Sequence, residues 1–141
     1  MAVTKGIHAL IDEAMTQIKT YSVDEVRARM ERKDPTLQLV DIRDVRELES
    51  KGTLPYAFHA PRGMLEFWVD PESPYFKSVF GHDDREYVLF CGSAWRSALS
   101  TKALQDMGMR NVAHLGGGFS AWSEAGAPTE TLAENQARHL W

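Results

Sequence analysis

One cysteine, Cys91, stands in a chain of 141 residues, so no internal disulfide can form and the composition points to no oxidising compartment. A cytoplasmic location is the expectation. No apolar run approaches the roughly 18 residues that cross a membrane, and the opening Met1-Ala2-Val3-Thr4-Lys5-Gly6 lacks the charged start and apolar stretch of a secretory signal. Neither membrane insertion nor secretion is signalled. Positive charge is not in excess either: 16 Lys and Arg face 20 Asp and Glu, a net charge of −4, which argues against a nucleic-acid partner. Internal repeats and low-complexity tracts are absent. Five dispersed histidines, at 8, 59, 82, 114 and 139, give no metal-ligand spacing with the lone cysteine, so no metal is expected.

What is present is a 43% hydrophobic, 26% charged chain, the composition of one globular domain able to close its own core. Ile7, Leu10, Ile11, Ala14, Met15 and Ile18 fall on one helical face, which predicts an amphipathic helix over 7–18. That stripe fits either packing on the domain or a homodimer contact. Ser22-Val23-Asp24-Glu25 is a capping-box pattern, so a second helix starts after Ser22 and stops at Asp34-Pro35. Residues 37–42 read as a strand, 43–49 as a helical turn closed by Gly52, and 53–84 as a long, partly irregular excursion rich in Pro, Gly and aromatics.

The continuous apolar run 87–90 is a buried strand, 97–107 a helix carrying Leu99, Ala103, Leu104 and Met107, and 111–115 a third strand. Strand, helix and strand in that order make a right-handed βαβ unit, so the class is α/β with a small, mostly parallel central sheet flanked by helices. Phe119 to Trp122 opens another helical turn, closed by Gly126. The tail after residue 128 carries only a weak helical pattern.

Cys91 sits where the 87–90 strand ends, in Phe90-Cys91-Gly92-Ser93-Ala94-Trp95-Arg96-Ser97, with a helix beginning at or near Arg96. At the carboxyl end of a parallel strand, a helix N-terminus offers unpaired N–H groups and a positive dipole end. The dipole and the Arg96 guanidinium both favour thiolate over thiol, which makes Cys91 a candidate nucleophile. Small Gly92, Ser93 and Ala94 let several N–H groups converge on one anion. Trp95 fits equally as a lining of the pocket mouth or as packing.

These residues resemble the rhodanese family of single-domain sulfurtransferases, and the likeness extends over residues 20–128. Leu39-Val40-Asp41-Ile42-Arg43 with Glu47 and Gly52 looks like the family's amino-terminal strand motif, and Ala57-Phe58-His59-Ala60-Pro61 like its following segment. Val88-Leu89-Phe90-Cys91, Arg96-Ser97, Leu104, Gly108, Val112-Ala113-His114-Leu115, Gly116-Gly117, Trp122 and Gly126-Ala127-Pro128 resemble the carboxyl half in order and spacing. The resemblance implies a three-layer rhodanese-like domain over 20–128; helix 7–18, in an N-terminal piece 1–19, and the tail 129–141 lie outside it. It implies further that Cys91 takes a sulfane sulfur from a donor such as thiosulfate, holds it as a persulfide and passes it to a thiophilic acceptor such as cyanide, a thiol or a carrier protein. Arg96 would bind donor oxygens, the amides of Gly92, Ser93, Ala94, Trp95 and Ser97 would cradle the terminal sulfur, and no cofactor is implied. Ala94 departs from the glycine more usual in the family; if residue 94 must adopt a positive φ, alanine there costs about 1 kcal/mol or more, which bears on donor preference.

Two other readings stay open at this stage. A non-catalytic binding or regulatory module would keep the fold without turnover. Tyrosine phosphatases and arsenate reductases resemble this layout too, but their loop between Cys and Arg is one residue longer than the four residues found here. Asp41 and Arg43 are expected to form a supporting ion pair, and His59 and His114 to be hydrogen-bonded structural residues. Gly116-Gly117-Gly118 reads as a strand-to-helix turn, because it lacks the Lys-Ser/Thr of a phosphate loop.

Overall fold

Short strands with apolar residues at nearly every position need cover on both faces, and this dictates the layering. The structure, a computed structural model, describes residues 2–138. Its elements run α1 (Ile7–Met15), β1 (Thr20–Tyr21), α2 (Val23–Glu31), β2 (Leu37–Asp41), α3 (Val45–Lys51), β3 (Phe58–His59), α4 (Leu65–Val69), β4 (Glu86–Phe90), α5 (Trp95–Asp106), β5 (Val112–Leu115), α6 (Gly118–Glu124) and α7 (Leu132–Arg138). The strands form one sheet in the order β1-β5-β4-β2-β3, with every neighbouring pair parallel. The fold is therefore α/β in three layers.

Alternation along the strands sorts the core. Val40, Tyr87, Leu89, Cys91 and Val112 join Leu65 and Val69 of α4 and Leu104 of α5 on one face. Leu39, Val88, Phe90 and Leu115 join Val26 of α2 and Phe119 and Trp122 of α6 on the other. Helix α1 lies outside α5, with Ile11 and Ala14 packed on Ala98. Its Ile7, Leu10 and Met15 remain exposed. Among the described residues no helix is long and apolar enough to cross a membrane.

Several boundaries differ from the sequence expectation. Helix α1 ends at Met15 rather than at residue 18, because the chain turns at Thr16 to deliver β1, while Ile18 still packs on the cluster beneath α1. Two strands were not foreseen, β1 and β3, each two residues long and thus too short to show a period. The excursion 53–84 contains α4 and two 3-10 turns, and the tail contains α7.

The chain leaves β2 toward β3 on one side of the sheet and leaves β4 toward β5 on the other. The crevice at the carboxyl ends of β2 and β4 is thus the switch point, where ligands bind in open parallel sheets.

Candidate active site

Cys91 follows β4 directly and is 1% exposed. Its Sγ accepts hydrogen bonds from the backbone N–H groups of Ala94 (3.2 Å) and Ser97 (3.3 Å), and lies 3.6 Å from Ser97 Oγ. The loop can close this tightly because Ala94, the residue before α5, takes φ 83° and ψ −7°. That is the left-handed conformation anticipated as a strain point for a residue with a Cβ. From below, the first turn of α6 clamps the loop: Phe119 N–H donates to the Cys91 carbonyl (2.8 Å) and Ser120 N–H to that of Gly92 (3.0 Å). Gly118 makes this contact possible, since a Cβ there would lie 2.6 Å from the Cys91 carbonyl oxygen.

Arg96 sits in the first turn of α5, but both terminal nitrogens of its guanidinium are engaged by Glu47 of α3, at 2.8 and 3.0 Å. Glu47 also closes the capping box of α3 by accepting from Asp44 N–H. The paired guanidinium holds the Glu47 carboxyl below its usual range, and Arg96 is raised in return, first by Glu47 and further by Cys91. This ion pair bridges the crevice from α3 to α5. Trp95 is 47% exposed and meets His8 of α1 edge-on at 5.1 Å between ring centres.

Asp41 and Arg43 do not enter the cradle. Asp41 accepts from Arg43 N–H, Nε and one terminal nitrogen, and from the Thr53 hydroxyl at 2.7 Å. Arg43 reaches on to the Gly52 carbonyl and lies over the Phe119 ring at 4.2 Å. The pair ties β2 to the loop after α3. His59 is likewise structural: its Nε2 faces the Arg43 carbonyl at 2.7 Å, so that nitrogen carries the proton.

His114 is placed differently. It is fully buried on β5, with Nδ1 2.9 Å from Ser97 Oγ and Nε2 2.9 Å from Thr20 Oγ1 on β1. Burial lowers its pKa to about 4, so the ring is neutral near pH 7. Nothing in the sequence marked Thr20, and Glu47 was visible only as part of the resemblance. A cavity of about 480 Å³, lined by Arg43, Asp44, Arg46, Glu47, Gly92 and Phe119 among others, opens beside the loop on the α3 side.

A family model described as a rhodanese-like domain matches residues 22–125. A putative sulfurtransferase of Bacillus subtilis, YtwF, is 32% identical over 106 residues, covering 75% of this chain and 91% of that protein. A sulfurtransferase of Allochromatium vinosum is 32% identical over 90 residues, 64% of this chain and 75% of that one. Among solved structures, a protein from Rhodopseudomonas palustris described as of unknown function and a possible tyrosine phosphatase superposes with a TM-score of 0.89. It is 45% identical, covering 92% of this chain and 98% of its own.

Proposed function

The chain belongs to the rhodanese-like domain family, and from that premise we propose that this sulfurtransferase moves a sulfane sulfur from thiosulfate or a similar donor through a persulfide on Cys91. The observation that carries the reading is the pair of backbone amides, from Ala94 and Ser97, that meet at Cys91 Sγ. Donors fixed in the backbone and aimed where negative charge resides stabilise an anionic sulfur without rearranging during reaction.

The Cys91 thiolate attacks the sulfane sulfur of thiosulfate. The bond from that sulfur to the sulfonate sulfur breaks, sulfite leaves with the electron pair, and Cys91 carries a persulfide anion. An acceptor such as cyanide then attacks the terminal sulfur, and the electrons of the S–S bond return to Cys91 as thiocyanate departs. The two steps balance without a redox partner or a cofactor. Arg96 binds donor oxygens at the rim in competition with Glu47, which also keeps the guanidinium oriented across the crevice.

The description of the Rhodopseudomonas palustris protein brings in a second reading, phosphoryl transfer. The four-residue spacing between Cys91 and Arg96 counts against it, since three equatorial phosphate oxygens need a wider ring of amides. The test is to offer the purified protein thiosulfate with cyanide, and separately an aryl phosphate, beside Cys91→Ser. Thiocyanate formed by the wild type alone, with no phosphate release, is the expected result. Cys91-dependent phosphate release without thiocyanate would replace this reading, and equal inactivity of both proteins toward every persulfide donor would reduce the chain to a binding module.

A further inference from the structure

Beneath Cys91 the polar side chains form one continuous hydrogen-bonded line. Cys91 Sγ is 3.6 Å from Ser97 Oγ, Ser97 Oγ is 2.9 Å from His114 Nδ1, and His114 Nε2 is 2.9 Å from Thr20 Oγ1. Cys91, Ser97 and His114 are buried, whereas Thr20 is exposed. The sheet builds this line. His114 is the register partner of Leu89 on β4 and of Thr20 on the edge strand β1, and α5 lays Ser97 between sulfur and imidazole.

A nucleophilic thiol this deeply buried needs a route for its proton. Here the neutral imidazole offers one protonated and one free nitrogen. The line therefore admits two complete proton arrangements. In the first, Cys91 S–H donates to Ser97, Ser97 O–H to Nδ1, Nε2–H to Thr20, and Thr20 O–H to solvent. In the second every bond is reversed: solvent has gained one proton, Thr20 donates to Nε2, Nδ1–H donates to Ser97, and Ser97 O–H donates to an anionic sulfur.

The geometry points to a proton relay, Cys91–Ser97–His114–Thr20, that carries the Cys91 proton to the sheet edge and leaves the Ser97 hydroxyl donating to the sulfur anion. This rests on the proposed function in taking Cys91 as the nucleophile, and it deepens that reading by adding Ser97, His114 and Thr20 to the machinery. Each link breaks one O–H, N–H or S–H bond and makes one, so a single proton leaves and no charge resides on the imidazole at either end state. Burial, which keeps His114 from becoming an imidazolium near neutrality, holds it in the role of a carrier rather than a base. The Ala94 carbonyl at 3.2 Å competes for the Ser97 hydroxyl: it is more distant than Nδ1 in the first arrangement, and in the second the negative charge on the sulfur at 3.6 Å favours the sulfur over that neutral carbonyl.

The charged group beside the sulfur is Arg96 of α5, itself paired with Glu47 of α3, while Arg43 is committed to Asp41 and lies over Phe119 of α6. Around His114, α5 presents the hydroxyls of Ser97 and Thr101, the latter directed to the Ala113 carbonyl. Lys19, beside Thr20 on the β1 side, turns its ammonium to the Tyr21 ring and Glu86. Burial alone displaces the His114 pKa.

The test uses iodoacetamide alkylation of Cys91 across pH, with no sulfur donor present, in wild type, Thr20→Val and Thr20→Ser. Thr20 is exposed on a two-residue edge strand, so both variants should fold. Thr20→Val removes the hydroxyl that pairs with Nε2 in both arrangements and carries the proton out, and it should move the pH midpoint of alkylation by about 0.5 to 1 unit. Thr20→Ser should return the wild-type midpoint. Nitrogen-15 spectra of the imidazole should show His114 passing from Nε2–H to Nδ1–H over the same pH range, with no such change in Cys91→Ser. An unshifted midpoint in Thr20→Val, or a fixed tautomer while Cys91 ionises, would overturn the relay. Both signatures present in a protein that transfers no sulfur would instead keep the relay and remove the proposed function.

Discussion

Two loops leave the sheet side by side, one after β2 and one after β4, and Asp41 and Phe90 at their roots are register partners. Each loop starts from a buried hydrogen-bonding residue, Asp41 or Cys91, yet the two handle hydrogen differently. After β2, the Asp41 carboxylate takes three N–H donors from Arg43 and the Thr53 hydroxyl, leaving every proton a single place to be. After β4, the Cys91 sulfur meets two fixed amides and then a hydroxyl and an imidazole whose protons can be arranged in two ways. Burial alone therefore does not tell the two loops apart. The difference lies in whether the hydrogen bonds are fully committed or can reverse.

Stability should separate the loops most sharply. Arg43→Met strands a fully buried carboxylate and is expected to cost about 3–5 kcal/mol in urea unfolding, whereas Cys91→Ser, which keeps a small polar group beside the same amides, should cost less than about 1 kcal/mol. Similar losses in the two variants would erase the contrast. A smaller effect is expected at the rim, where Glu47→Gln should free the Arg96 guanidinium and lower the KM for thiosulfate several-fold with little change in kcat. An unchanged KM would take Arg96 out of donor binding. Least of all, Ala94→Gly should relieve the left-handed backbone at φ 83° and stabilise the fold by up to about 1 kcal/mol, read as a rise in the urea midpoint. A loss of stability there would mean that the alanine methyl contributes packing that outweighs its strain.

The legibility of the sequence follows the same division. The three central strands were readable because continuous apolar runs bounded by turns have few alternatives, and the structure places them at Leu37–Asp41, Glu86–Phe90 and Val112–Leu115. β1 and β3 were not, since two residues carry no period and their pairing depends on neighbours distant in the chain. The Cys91 loop was readable because its residues are contiguous, whereas the positive φ at Ala94 entered only as a condition that the structure meets. Glu47 reaches Arg96 across 49 residues and Thr20 reaches His114 across 94, contacts that no local spacing encodes. His114 was read as a hydrogen-bonded structural residue. Its bonds are there, but one of them ends on the serine that touches the sulfur.

The most direct measurement is the intact mass of the reduced protein after brief exposure to thiosulfate and desalting, beside Cys91→Ser and followed by a cyanide chase. The account predicts a gain of one sulfur on the wild type alone, discharged by cyanide as thiocyanate. A wild type whose mass does not change with thiosulfate or with any other persulfide donor, while its Cys91 remains alkylatable, would contradict it.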